Sequence, residues 1–193
     1  HLPIFATELV HQGIDHNYGL REKLRTSKRF FTKGEPFELA GMTINSFPVS
    51  HDSTECVGYV IDALGQRFMI VTDCGEPNDT IEHYIRTANH LVIEANHDEQ
   101  MLLNGPYPTY LKQRILSATG HQSNTTCAEL LVRNYHPGLH NIFLCHLSLE
   151  NNDPQVAYNT IAQALTQANI PLGQTLRLTP LERMEFSPIV VLN

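Results

Sequence analysis

The sequence predicts an α/β layered domain, and three observations carry that prediction. Short apolar runs of strand length alternate with stretches of helical periodicity. Four of those runs end in a residue able to hold a metal or move a proton. No GxGxxG or GxxxxGKS/T loop follows any run, which excludes a doubly wound nucleotide-binding sheet.

In chain order, the first element is a helix over about 17–29, followed by a strand over 42–49. Val57–Asp62 and Phe68–Thr72 are apolar enough for strands covered on both faces. A helix starts near Asp79 and places Ile81, Tyr84, Ile85 and Ala88 on one face. Leu91–Ile93 is a short strand, and a helix covers about 108–118. A further helix follows Ser123-Asn124, with Thr126-x-x-Glu129 as its capping box. After the strand Ile142–Cys145, Asp153-Pro154 opens the last helix as a cap followed by proline in the first turn. Its apolar stripe is Ala157, Ile161, Ala164, Leu165 and Ala168. A last strand is placed at 188–192. With no repeat, low-complexity tract or linker, residues 1–193 read as a single domain.

The 193 residues, 41% of them hydrophobic, suffice for one ordinary core, and seven Tyr with eight Phe supply its aromatic part. No run approaches the roughly 18 apolar residues of a membrane span. No signal peptide opens the chain; it starts His1-Leu2-Pro3-Ile4 without Met, and reads as the inside of a longer protein. Cys56, Cys74, Cys127 and Cys145 are scattered and form no CxxC pair. That excludes a disulfide framework or zinc knuckle and points to a reducing cytoplasm.

A formal charge of −7 argues against a surface that grips nucleic acid everywhere. The charge is uneven, however: Arg21, Lys23, Arg25, Lys28, Arg29 and Lys33 crowd one segment around Phe30-Phe31. Two readings compete there: a phosphate-gripping patch with an aromatic platform, or a solvated helix face leading into a core-directed Phe pair.

The chemistry gathers where the apolar runs end. Phe68–Thr72 runs into Asp73, Leu91–Ile93 into Glu94, Ile142–Cys145 into His146, and Phe47–Ser50 into His51. Ligands bind at such rims in open α/β sheets. Taken singly, Asp73 reads equally well as a helix cap, and His51 or His146 as a satisfied rim histidine. Together, two imidazoles and a carboxylate suit zinc, manganese or iron. His121, in Gly120-His121-Gln122-Ser123, stands before a helix, and Glu94 is of the type to orient it through its far ring nitrogen. A turn histidine and a surface ion pair are the plainer readings of those two. His97-Asp98 has no role assignable from residue type, and His11, His16, His83, His90, His136 and His140 read as structural or surface groups.

An ordered set of segments makes the chain familiar. Ser50-His51-Asp52, Thr72-Asp73-Cys74-Gly75, Glu94-Ala95-Asn96-His97-Asp98, Gly120-His121-Gln122-Ser123-Asn124 and His146-Leu147-Ser148-Leu149-Glu150-Asn151-Asn152 occur in this sequence. In that order they resemble the metallo-β-lactamase superfamily, within it the YycJ/WalJ-like branch of bacterial 5′→3′ exodeoxyribonucleases. Single elements are weak; the ordered set is specific and runs over nearly the whole chain.

The resemblance implies an αββα sandwich whose N-terminal strands, with the family's HxHxDH motif, lie upstream of this numbering. It implies His51, Asp73 and His146 as metal ligands, with Asp73 bridging two divalent ions of zinc, manganese or iron. His121, with Glu94 as its carboxylate partner, takes the catalytic role at the scissile phosphate or leaving group. The implied activity is phosphodiester hydrolysis through a metal-bridging hydroxide, on DNA as an exonuclease. RNA processing, cleavage of small phosphodiesters, hydrolysis of thioesters or lactams, and a metal-poor binding or regulatory fragment are the alternatives. A sandwich lacking part of its strands exposes a face and so calls for self-association or a partner chain.

Overall fold

The computed structural model describes residues 2–19, 24, 26–183, 186, 187 and 189–192. β1 (Ile4–Ala6) pairs in parallel with β2 (Lys28–Phe30) as a separate two-stranded sheet, with α1 (Glu8–His16) between them in sequence. This corrects the helix read over 17–29. Thr7 caps the helix earlier by accepting the Val10 N–H, and the helix stops at Asn17. Lys28–Phe30 is drawn into a strand because β1 offers it a ladder of backbone partners. Residues 20–23 and 25 lie outside those described.

A seven-stranded sheet follows sequence order: β3 (Phe37–Leu39), β4 (Met42–Pro48), β5 (Val57–Ala63), β6 (Gln66–Val71), β7 (His90–Glu94), β8 (Asn141–Cys145) and β9 (Arg177–Pro180). From β3 to β6 neighbours are antiparallel; from β6 to β9 they are parallel. Two tight turns make the hairpins. Ala40-Gly41 and Leu64-Gly65 hold φ of 52° and 80°, and 51° and 77°. Positive φ at both central residues is the turn whose twist matches paired strands, and glycine takes the second position without a steric penalty.

The parallel half needs crossovers. α2 (Asp79–Ile85) joins β6 to β7, and α3 (Glu99–Asn104), α4 (Thr109–Ile115) and α5 (Asn124–Asn134) join β7 to β8. α6 (Pro154–Gln167) joins β8 to β9. One face of the sheet, with Val60, Met69, Leu91, Ile93, Ile142 and Leu144, is buried in a core shared with these helices. Ile81 and Ile85 of α2, Leu130 and Leu131 of α5, and Ile161 and Leu165 of α6 belong to that core, each fully or almost fully buried. Every such side chain is worth about 1.5–3 kcal/mol against exposure. The opposite face carries Tyr59, Ile70 and Val92 in register across three strands, half-buried.

Three further differences from the sequence reading have local causes. The cap of α5 is Ser123, which accepts the Thr126 N–H at 3.1 Å, rather than a box begun by Thr126. α3 is only six residues long, too short for a periodicity to register, and is set by Asp98 accepting the Met101 N–H at 2.9 Å. No strand forms over 189–192; the last strand is β9, held in parallel to β8.

β4 is antiparallel to β5 and β5 to β6, so β4, β6, β7 and β8 all run the same way. Their C-terminal ends therefore open on one edge of the sheet. That edge is where His51, Asp73, Glu94 and His146 lie.

Candidate metal centre

Glu94 is the anchor of the site. It is the last residue of β7 and fully buried. Its Oε1 accepts from Nδ1 of His121 at 2.7 Å and from Nδ1 of His146 at 2.9 Å. Its Oε2 accepts the Cys74 backbone N–H at 2.7 Å. Burial alone pushes the Glu94 carboxyl up; the hydrogen bonds from His121, His146 and Cys74 outweigh it and hold the group below its ordinary value. The Glu94 hydrogen bond in turn raises His146, against the opposing effect of its burial.

A carboxylate only accepts, so both Nδ1 atoms carry a hydrogen and both Nε2 atoms are left for other work. His51 has the same arrangement by another route: its Nδ1 lies 3.2 Å from the Gly120 carbonyl oxygen. A histidine fixed through one ring nitrogen presents the other as a directed ligand, which is how metal-binding histidines are oriented.

Asp73 sits among these rings. Its Oδ1 is 3.7 Å from Nε2 of His51, 3.9 Å from Nδ1 of His121 and 3.6 Å from Nδ1 of His146. The rings are close packed, His51 to His121 at 5.0 Å and His121 to His146 at 5.2 Å between centroids. Taking one donor atom per residue, His51, Asp73 and His121 lie within 4.8 Å of one another, and so do Glu94, His121 and His146. Three imidazoles and two carboxylates fit a zinc, manganese or iron ion by donor type. Thiolates take no part. Burial pushes the Cys74 and Cys145 thiols up to about 12, and among the described residues all four cysteines are free.

Two of the five residues hold strained backbone. Asp73 has φ of 50° and His146 has φ of 56°, in the left-handed region that costs a non-glycine residue about 1–2 kcal/mol. Such strain persists where surrounding contacts over-determine it. For His146 the contacts are visible: its carbonyl accepts Nδ2 of Asn96 at 2.8 Å. Asn96 also donates its backbone N–H to Gln122 at 2.9 Å and accepts that of Ser148 at 2.8 Å, so it ties together the three segments bearing Glu94, His121 and His146. Asn152 and Asn124 are a second buried pair, with Asn152 donating to the Ala95 carbonyl at 2.8 Å. Residue type alone did not single out these asparagines; their only signal was their place inside the Glu94–Asp98, Gly120–Asn124 and His146–Asn152 segments.

Gly120 has a steric reason. A Cβ there would lie 2.1 Å from the Ile115 carbonyl oxygen, so only glycine lets this loop close on α4 and aim its own carbonyl at His51. Beside it, Arg114 forms a two-pronged ion pair with Asp52, with Nη2 to Oδ1 at 2.9 Å, and holds the Asp52 carboxyl down to about 2. The site opens into a cleft of about 720 Å³ lined by His51, Asp52, His121 and His146 among others.

All five residues singled out in the sequence thus meet at one place. Of the unassigned pair, Asp98 is the cap of α3, and His97 is buried with neither ring nitrogen partnered among the described residues. Of the basic segment, only Lys28, Arg29 and Lys33 are among the described residues. Lys28 pairs with Asp15 and Lys33 with Glu55 at 2.9 Å. Arg29 turns back to the Lys28 carbonyl at 2.7 Å. Phe31 stacks on Phe37 at 5.2 Å, while Phe30 is 61% exposed beside His11. Arg21, Lys23 and Arg25 lie outside the described residues.

Comparison with known proteins agrees with this geometry. A family model described as a beta-lactamase superfamily domain matches residues 1–138. Exodeoxyribonuclease YycJ of Bacillus anthracis is 32% identical over 178 residues, covering 92% of this chain and 66% of its own. Exodeoxyribonuclease WalJ of Streptococcus pneumoniae is 34% identical over 172 residues, covering 89% and 64%. The chain therefore spans slightly less than two thirds of the length of these curated relatives. Among solved structures, the metallo-beta-lactamase fold protein YhfI of Bacillus subtilis superposes with a TM-score of 0.63 at 18% identity, over 96% of this chain and 64% of that one. Zinc-bound PqqB of Methylobacterium extorquens gives 0.62 at 16% identity, over 93% and 60%. Those two likenesses concern the fold. The matched family model places this chain in the metallo-β-lactamase superfamily, with the YycJ and WalJ exodeoxyribonucleases among its relatives.

Proposed function

We propose that the chain carries the core of a metal-dependent hydrolase that cleaves phosphodiester bonds, with the end of a DNA strand as its substrate. The observation that carries this reading is the Asp73 carboxylate oxygen lying within 4 Å of three imidazoles, each anchored through Nδ1, at the rim of an open cleft. His51, Asp73 and His146 would hold divalent metal ions. Bound there, such ions supply Lewis acidity, bringing the pKa of a water from about 15.7 towards 7 and offsetting negative charge at phosphorus.

The chain's own residues do the rest. Glu94 fixes the ring orientation of His121 and His146 together, because one carboxylate oxygen serves both. Asn96 holds the backbone of His146 in its left-handed conformation. His121, held through Nδ1 on Glu94, donates a hydrogen bond or a proton from Nε2 to the departing oxygen. Help of that kind is worth about 10²–10⁴ in rate.

Metal content per chain, measured by plasma mass spectrometry on protein of checked intact mass, is the primary test. About two equivalents of zinc, manganese or iron support the reading, and none at all sinks it in favour of a metal-free binding module. Asp73→Ala loses metal and activity together. His121→Ala keeps its metal and loses about 10²–10⁴ in turnover; loss of metal in that variant makes His121 a ligand instead, as its membership of both donor groups allows.

A second reading is cleavage of a small phosphodiester. It is favoured by the ion pairs that occupy Lys28 and Lys33, and by the net charge of −7, which disfavours a long polyanion. Salt dependence separates the two, since turnover on a polymeric anion falls steeply with salt and turnover on a small diester does not.

A further inference from the structure

We propose that the apolar part of the cleft, centred on Tyr107, is a nucleobase subsite that stacks the terminal base of the strand being cut. This rests on the phosphodiesterase reading and adds to it the group that the cleft recognises beyond the phosphate. The cleft, about 720 Å³, is far larger than a phosphate needs and falls in the roughly 300–1,000 Å³ range of sites that hold a whole small molecule.

Its lining divides by origin. The polar donors come from the edge of the sheet, whereas Tyr107, Leu111, Leu147, Leu149 and Leu181 supply an apolar wall from α4, the loop before it and the segments after β8 and β9. Leu149 is 72% exposed, a large apolar group at the mouth of the site that a flat ligand would shield from water.

The ring of Tyr107 is presented on stiff backbone. Pro106 and Pro108 flank it, and Pro108, at φ of −65°, is the residue on which α4 starts. The loop is also tied across the cleft. Gly105 packs so tightly that a Cβ there would lie 2.6 Å from Oδ1 of Asn151, and the Asn151 carbonyl accepts the Asp98 N–H at 2.9 Å. The segment that carries Tyr107 therefore packs directly against the segment after β8 that carries Leu147 and Leu149. A base suits such a wall because every base offers a π-face to an aromatic ring, whatever its sequence.

The charges at the rim point the same way. Arg114 is committed to Asp52, and of the remaining charged groups lining the cleft, Glu150 and Glu182 oppose Arg183. Away from the metal ligands the cleft walls offer little to the strand's backbone charge, so its base is the group they hold.

The test compares two phosphorothioate-linked hexathymidylates, which resist cleavage, bound to the metal-loaded protein and followed by fluorescence anisotropy. One carries intact ends and the other an abasic residue at each end. Stacking is worth about 1–3 kcal/mol per base, which converts to about 5- to 140-fold tighter binding of the intact strand. Tyr107→Phe keeps that ratio, and Tyr107→Ala and Tyr107→Leu, the latter retaining bulk, bring it to about one. A ratio that persists in both truncated variants overturns the proposal, and so does wild-type protein that binds the two strands equally or binds neither. The phosphodiesterase reading is scored separately, by hydrolysis of an unmodified hexathymidylate and of methyl nitrophenyl phosphate: no cleavage of either removes that reading and leaves the base preference standing as a binding site.

Discussion

Glu94 shows how much of this site depends on one buried carboxylate that does not itself line the cleft but holds two histidines that do. Its folded value lies below the ordinary 4.5. Its contribution to stability is therefore complete above about pH 4.5 and is lost as pH falls below it. The metal-free protein accordingly loses stability as pH drops below about 4.5, and Glu94→Gln flattens that slope. The variant also costs about 1–3 kcal/mol at neutral pH through weakened hydrogen bonds to His121, His146 and Cys74. Urea unfolding at a series of pH values measures both effects, and an unchanged acid slope would remove Glu94 as their source. Asn96→Ala is the companion case. Without the amide that holds the His146 carbonyl, metal affinity falls about 10–100-fold while the ligand set remains intact, as isothermal titration with zinc would record. His51, Asp73, Glu94, His121 and His146 were readable because each is a donor type at a telling place. Asn96 was not, because an amide next to a motif looks like any other polar residue until its three partners are known.

At the scale of elements, legibility followed the strength of local signals. α6 was foreseen from Asp153-Pro154 and its apolar stripe, and Asp153 does cap it by accepting the Gln155 N–H at 2.8 Å. Ala168 falls outside the stripe; it is the exposed C-cap. The helix read over 17–29 was wrong over its last residues because a strand three residues long has too little pattern to compete with charged, helix-compatible residues, and its formation depends on β1 more than twenty positions away. The loop before α5 makes a sharper prediction. Gly120→Ala cannot be accommodated without moving the backbone that carries both the His51 anchor and His121. The expected result is a loss of about 1–3 kcal/mol by thermal or urea unfolding together with weakened metal binding. Full metal affinity in that variant would show that the loop does not set the His51 ring.

For the whole molecule, the proposed metal binding would be coupled to folding, since the candidate donors at the ends of β4, β6, β7 and β8 meet only when the sheet is assembled. At a free metal concentration about 100 times its dissociation constant, the folded protein gains about 2.7 kcal/mol. At about 2–4 °C per kcal/mol for a chain of this size, that is a rise in Tm of about 5–11 °C. Scanning calorimetry should show it with zinc or manganese, reversed by a chelator and absent in Asp73→Ala. The sequence by itself determined that the runs at 42–48, 57–62, 68–71, 91–93 and 142–145 become strands, and that the residues following four of them are of metal-ligating type, because periodicity and residue type are local properties. Only the tertiary structure decided that four of the strands point the same way and deliver their terminal residues to one edge. It also decided that one Glu94 oxygen serves two histidines, and that Lys28 and Lys33 are occupied by ion pairs. Those facts depend on which strand lies beside which, and that is fixed by burying the sheet against its helices across separations of tens of residues.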